Sequence, residues 1–114
     1  MSLWTHIVAT IDIDTCVDRD DIASYVRENL ENAPRITGSE GDADIFVNVL
    51  SGHNVTCYAN GQHREYQTRV VITVLGDLRD RMRDTTKAEW MAFKKFVDKN
   101  LGIIRNFTWK IQGW

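Results

Sequence analysis

Proline, cysteine and histidine are scarce in this chain: its 114 residues include one proline, two cysteines and three histidines. Two cysteines cannot build a disulfide framework, which favours a reducing compartment. The opening stretch has the pattern of neither a signal peptide nor a membrane span, because it lacks a basic start and is interrupted by Asp12 and Asp14. The net charge of −2 lacks the basic excess of most nucleic-acid-binding proteins. We therefore expect a soluble globular protein with a single domain over residues 1–114.

Apolar residues recur with two different periods, which predict strands and helices in alternation. Period-two alternation begins at Trp4 and is typical of a half-buried strand. Asp18 is a candidate N-cap for a first helix, which ends before the chain's one proline. Thr86 and Glu89 form a capping-box pattern at the start of a second helix. The predicted strands are residues 4–13, 44–50, 65–75 and 104–114, and the predicted helices are residues 18–32 and 86–101.

The resulting order, β-α-β-β-α-β, is the split β-α-β arrangement of the ferredoxin-like fold. We therefore predict an α+β protein in which one four-stranded antiparallel sheet carries both helices on a single face. The side of each strand that faces the helices is predicted to form the core. Its predicted members are Ile7, Ala9, Ile11, Ile13, Ile45, Val47, Val49, Val70, Ile72, Val74, Phe107, Trp109 and Ile111.

Asn60-Gly61 is a strong signal for a two-residue turn that joins the second and third strands in a hairpin. Residues that face each other across such a hairpin have numbers that sum to 121. This register pairs Val49 with Ile72, so that predicted core residues meet across the hairpin. It also places Cys57 opposite Arg64, His53 opposite Thr68, and His63 opposite Tyr58.

His53, Cys57 and His63 are close in sequence and would suit a zinc ion if their side chains converged. In the hairpin register His63 points to the opposite face from the other two, because successive strand residues alternate. A bulge at Gly52 is the alternative that would remove this separation. The acidic residues around Cys16 also disfavour a reactive thiolate. We therefore predict no metal site, no catalytic residue and no cofactor.

The sheet face away from the helices is the strongest candidate for a binding surface. It is predicted to carry aromatic side chains among polar ones, which is the composition of protein interfaces. Its predicted contact residues are Trp4, His6, Phe46, Arg69, Lys110 and Trp114. A second candidate surface is the hairpin tip, with Tyr58, Asn60 and His63.

Three stretches, SLWTHI, ITGSEGDADIFVNVLSG and GDLRDRM, resemble small uncharacterised proteins encoded by bacteriophages and prophages. They cover roughly a third of the chain, and no functional residue is carried over with them. The resemblance implies a viral origin and a cytoplasmic location in a bacterial host cell.

We hypothesise a non-enzymatic, phage-encoded interaction module, which could inhibit a host defence or a host enzyme by occupying its surface. One alternative is a homo-oligomeric structural or accessory protein that packs through its open sheet face. Another is a binder of single-stranded nucleic acid or nucleotides, which would stack bases on the aromatic residues. The expected partner is a protein or a second copy of the chain, while nucleic acid and membranes are disfavoured.

Overall fold

The computed structural model describes residues 3–15, 19–59 and 62–113, and it describes side chains in these ranges except at residues 19–20 and 51–67. Within that part of the chain, four strands and two helices follow one another in the order β-α-β-β-α-β. Their bounds are β1 Trp4–Thr15, α1 Arg19–Glu31, β2 Asp44–Ala59, β3 Gln62–Arg79, α2 Arg83–Asn100 and β4 Ile103–Gly113.

The described strands form one sheet with the order β2-β3-β1-β4. Every neighbouring pair is antiparallel. The central strands are therefore β3 and β1, whereas β2 and β4 are the two edges. The predicted α+β class, with a four-stranded antiparallel sheet and two helices, is confirmed.

The core lies between one face of the sheet and the two helices. Strand side chains alternate between faces, so the odd-numbered residues of β1 and the even-numbered residues of β3 point to the same side. The fully buried apolar residues of the central strands are Ile7, Ala9, Ile11, Ile13, Val70, Ile72, Val74 and Leu78. Against them pack Ile22 and Val26 of α1 and Trp90, Phe93 and Val97 of α2. The predicted core of the central strands is thus confirmed.

The predicted core of the edge strands is largely wrong. Ile45 and Val47 are each 38% exposed, Phe107 is 39% exposed and Trp109 is 37% exposed. Val49 is only partly buried, and Ile111, at 4% exposure, is the predicted edge residue that does join the core. The helix α1 contacts β2 and β3, while α2 contacts β4 and β1. An edge strand has no neighbour on its outer side, so solvent reaches side chains there even when they face the helices.

The second helix begins earlier than predicted. It starts at Arg83, with Met82 at the N-cap position and no side-chain cap hydrogen bond. Thr86 therefore lies inside the helix, where its N–H donates to the Met82 carbonyl at 3.1 Å and its side chain is fully buried. The capping box predicted for Thr86 and Glu89 is wrong, because Glu89 accepts hydrogen bonds from Thr37 instead.

The hairpin of β2 and β3 has two registers. At its tip the pairing is as predicted, with Cys57 opposite Arg64 and Tyr58 opposite His63. The register shifts between Ser51 and Val55, where residues 52–54 of β2 lie opposite residue 67 of β3. This irregularity falls where the sequence offered a bulge at Gly52 as an alternative.

Because of this shift, the predicted pairing is wrong in the part of the hairpin nearer the core. Val49 lies opposite Val70 instead of Ile72, and Thr68 pairs with Ser51 instead of His53. Three residues of β2 lie opposite one residue of β3, so the registers on the two sides of the shift differ by two residues. Because two is an even number, odd-numbered residues of β2 still pair with even-numbered residues of β3 on both sides of the shift. The assignment of faces therefore survives the error in register.

Candidate functional site

The sheet face opposite the helices, called here the open face, is formed by alternate residues of all four strands. The buried apolar residues of the sheet lie on the other face. Directly paired residues of neighbouring strands share a face, so the register arranges the open face in rows. One row contains Asp44, Leu75, Val8 and Lys110, and the next contains Phe46, Thr73, Thr10 and Thr108.

Apolar side chains form a patch across three strands of the open face. Val8 is 55% exposed, Phe46 50%, Leu50 45% and Leu75 38%. Val8 and Leu75 are directly paired, and Phe46 occupies the adjacent row, within reach of Leu75 along the diagonal. Contiguous exposed apolar surface of this kind is a mark of interaction sites on proteins. Val8, Phe46 and Leu75 are called the apolar patch below, whereas Leu50 lies two rows from Phe46, opposite Arg69.

Two ion pairs border the apolar patch at one end of the open face. Arg69 Nε donates to Asp12 Oδ1 at 2.8 Å, and its second nitrogen pairs with Asp12 Oδ2. This hydrogen-bonded contact, the charge of Asp12 and the more distant charge of Asp14 raise the pKa of Arg69. Arg105 Nε lies 3.2 Å from Asp14 Oδ2. Both guanidinium groups are therefore already neutralised by carboxylates within the protein.

The other end of the open face carries an aromatic residue and a histidine. The guanidinium carbon of Arg79 lies 6.0 Å from the ring centroid of Trp4, in cation–π range. Arg79 also forms an ion pair with Glu40. His6 Nδ1 is hydrogen-bonded to Oδ1 of Asp77, its direct partner on β3. The guanidinium group at this end is thus paired with a carboxylate as well.

The structure places five of the predicted residues on the open face, spread from one end to the other: Trp4, His6, Phe46, Arg69 and Lys110. Trp114 lies outside the described residues, as does Asn60 of the predicted hairpin tip. Tyr58 and His63 are paired in the backbone register, while their side chains lie outside the description. Sequence reasoning did not select Val8, Leu50 and Leu75, because isolated aliphatic residues on a polar face carry little signal.

A groove of about 490 Å³ lies between α1 and the edge strand β2. Its apolar walls are formed by Ala23, Val26, Leu30, Ile45, Val47 and Val49. Arg27 and Glu31 of α1 also line it. The sequence pattern placed its strand residues in the core, and only the position of β2 at the sheet edge leaves them accessible.

The opposite edge of the sheet is covered differently. Lys94 Nζ lies 4.3 Å from the ring centroid of Phe107, and Lys87 Nζ lies 5.8 Å from that of Trp109. Both lysines extend from α2 over rings of β4, and such contacts are favourable cation–π interactions. The exposed aromatic residues of β4 are therefore partly shielded by the chain's own lysines.

The described residues contain no group of three or more His, Cys, Asp or Glu side chains that could hold a metal ion. The side chains of His53, Cys57 and His63, and the whole of Cys16, lie outside the description. No described helix is both long enough and apolar enough to cross a membrane. No family model, no curated protein and no solved structure matches the chain.

Proposed function

We propose that this protein is a non-enzymatic interaction module that binds a protein partner through its open face. The apolar patch carries the proposal: three aliphatic or aromatic side chains are exposed side by side on three strands. Removing such a patch from water is the main source of affinity in protein association. Its polar surroundings resemble the rim of an interface, where charged groups set specificity rather than affinity.

The charges of the open face favour a protein over nucleic acid as the partner. Its ion pairs are Arg69 with Asp12, Arg105 with Asp14, and Arg79 with Glu40. A nucleic-acid surface needs cations that are available to neutralise phosphates. Here the guanidinium groups are matched by carboxylates, so the face is close to neutral and suits a partner surface of mixed polarity.

The proposal also includes a ferredoxin-like fold, a phage origin of the protein and inhibition of a host protein. The element order and the strand order support a ferredoxin-like fold, in which one sheet face remains free of helices. A phage origin and a place in the cytoplasm of a bacterial host rest on the sequence resemblance alone. Inhibition of a host protein would follow if the open face occupies a surface that the host protein needs.

The test compares two variants that exchange an exposed apolar residue for aspartate. Val8→Asp places a charge inside the apolar patch, whereas Met91→Asp changes a residue of α2 that is 45% exposed and lies outside the patch. Affinity capture from a bacterial lysate with the wild type and both variants identifies the partner. The dissociation constant of that partner is then measured by calorimetry with each purified protein.

We expect Val8→Asp to weaken binding about thirtyfold, as the loss of a central contact does, and Met91→Asp to bind like the wild type. Equal binding by all three proteins would contradict the proposal. Quenching of tryptophan fluorescence by short single-stranded oligonucleotides at low salt, abolished by Val8→Asp, would favour the nucleic-acid alternative instead.

A further inference from the structure

The edge strand β2 offers an unprotected row of backbone hydrogen-bonding groups. Between Asp44 and Ser51 it pairs without interruption with β3 on one side only. Proteins usually protect such edges with lysine, proline, a bulge or a covering segment, because an exposed edge invites another strand. Residues 44–50 contain no lysine, arginine or proline. The first irregularity in pairing comes only beyond Ser51.

The other edge of the sheet shows the protection that β2 lacks. The strand β4 carries Arg105 and Lys110, and its register with β1 shifts between Asp12 and Ile13. Charges and bulges of this kind discourage strand addition. The two edges of the sheet therefore differ: β4 is protected against strand addition and β2 is not.

We infer that a second copy of this chain pairs with the first along β2, antiparallel and about a twofold axis that is perpendicular to the sheet. The two sheets would join into one of eight strands, with both pairs of helices on the same side. The groove between α1 and β2 would then lie at the centre of the interface, where Ile45 and Val47 of both copies cover each other.

The side chains of β2 complement themselves in a register centred on Phe46. Each Phe46 would lie opposite Phe46 of the second copy on the open face. Ile45 would lie opposite Val47 on the helix side, and Asp44 opposite Asn48. Apolar groups thus meet apolar groups, and a carboxylate meets an amide donor, as favourable cross-strand pairs require. Within β2 this register pairs residues 44–48 of each copy, and a five-residue antiparallel pair forms about four to six backbone hydrogen bonds.

The charges of α1 complement themselves as well. Arg27 and Glu31 both line the groove, and neither forms an ion pair with another described residue. The two α1 helices run antiparallel across the axis, so Arg27 of one copy can face Glu31 of the other, twice per dimer. One strand edge and one helix side are less than the standard interface of about 800 Å² per partner, which predicts a reversible, concentration-dependent dimer.

Sedimentation equilibrium of the full chain tests the dimer directly. We expect the wild type to approach twice the mass of one chain at about 100 μM. Val47→Lys should raise the dissociation constant at least about tenfold, because it buries a charge in the groove. Val47 is 38% exposed, so the variant should fold, which circular dichroism verifies. The control Val8→Lys, on the open face, should leave the mass unchanged.

Charge exchange tests whether the α1 contact is between two chains. Arg27→Glu and Glu31→Arg should each raise the dissociation constant by about threefold to tenfold, because each places like charges in both contacts. An equimolar mixture of the two variants should recover the wild-type mass, since the exchanged charges are then opposite across the interface. A pair within one helix could not give this recovery.

Three outcomes would overturn the inference: a wild type that is monomeric at about 100 μM, a mixture of the charge variants that fails to associate, or a dimer dissociated by Val8→Lys and not by Val47→Lys. The last result would show packing through the open face. The inference and the proposed function can fail separately, because Val8→Asp should weaken partner binding in a protein that still dimerises. A partner lost from Val47→Lys alone would instead place the partner on the edge of β2.

Discussion

Glu89 of the second helix is hydrogen-bonded to the loop before β2, and replacing this side chain is the most informative test of the fold. Its Oε2 accepts the backbone N–H of Thr37 at 2.9 Å, and its Oε1 accepts the Thr37 hydroxyl at 2.7 Å. The same hydroxyl accepts a hydrogen bond from Arg81 Nε at 3.2 Å. Thr37, in the loop before β2, is thus joined to α2 through Glu89 and to the residues just before α2 through Arg81.

We expect Glu89→Ala to lower the free energy of unfolding by about 2 kcal/mol. Hydrogen bonds to charged groups contribute roughly 1.5–3 kcal/mol each when buried. Glu89 and Thr37 are both partly exposed, so we expect their two hydrogen bonds together to contribute about as much as one buried hydrogen bond. The backbone N–H of Thr37 would also lose its acceptor and depend on water.

Urea unfolding followed by circular dichroism measures this loss. Glu28→Ala is the matched control, because Glu28 is an exposed helical glutamate with no side-chain hydrogen bond to a described residue, and it should change stability by less than about 0.5 kcal/mol. The double variant with Thr37→Ala should show a coupling energy above about 0.5 kcal/mol. A loss below that value in Glu89→Ala, or strict additivity with Thr37→Ala, would refute the reasoning.

Two further predictions test the backbone and the sheet edges. Gly102→Ala should lower the free energy of unfolding by more than about 2 kcal/mol, because at φ 140° the added Cβ would lie 2.5 Å from the Asp14 carbonyl oxygen. Gly41→Ala should lower it by about half as much, because Gly41 has φ 148° but open space around it. Ile111→Ala should cost about 3 kcal/mol and Phe107→Ala about 1 kcal/mol, although the alternation pattern treats both as core. Urea unfolding checks both pairs, and equal losses within either pair would contradict the argument.

The central strands show where a sequence pattern is sufficient. In β1 and β3 the apolar positions recur with period two, and each is enclosed by a neighbour on both sides and a helix above. Ile11 and Ile72, which face each other across these strands, are fully buried as predicted. A side chain enclosed on every side is buried whatever the details of register, so alternation alone decides its place.

The candidate site shows where a pattern is not sufficient. Alternation assigned Val47 to the core and gave Val8 no particular role, yet both are exposed and each belongs to a surface proposed for binding. Periodicity identifies the face to which a side chain points but not whether anything covers that face. Coverage depends on the order of strands in the sheet and on the placement of the helices, which are contacts between distant segments.

Glu89 makes the same point for hydrogen bonds. Its spacing from Thr86 matches a capping box, because that motif is defined by residues three apart. The helix instead begins at Arg83, and the carboxylate binds Thr37, which is 52 residues away. A local motif can report only the partners that lie within reach along the chain.

By itself the sequence determined the α+β class, the alternation of strands and helices and the buried face of the central strands, because these follow from side-chain period and local backbone preference. The tertiary structure alone decided which strands are edges, where the hairpin register shifts, and which apolar residues stay in contact with water. These depend on long-range packing, since the same alternating strand is buried at the centre of a sheet and accessible at its edge.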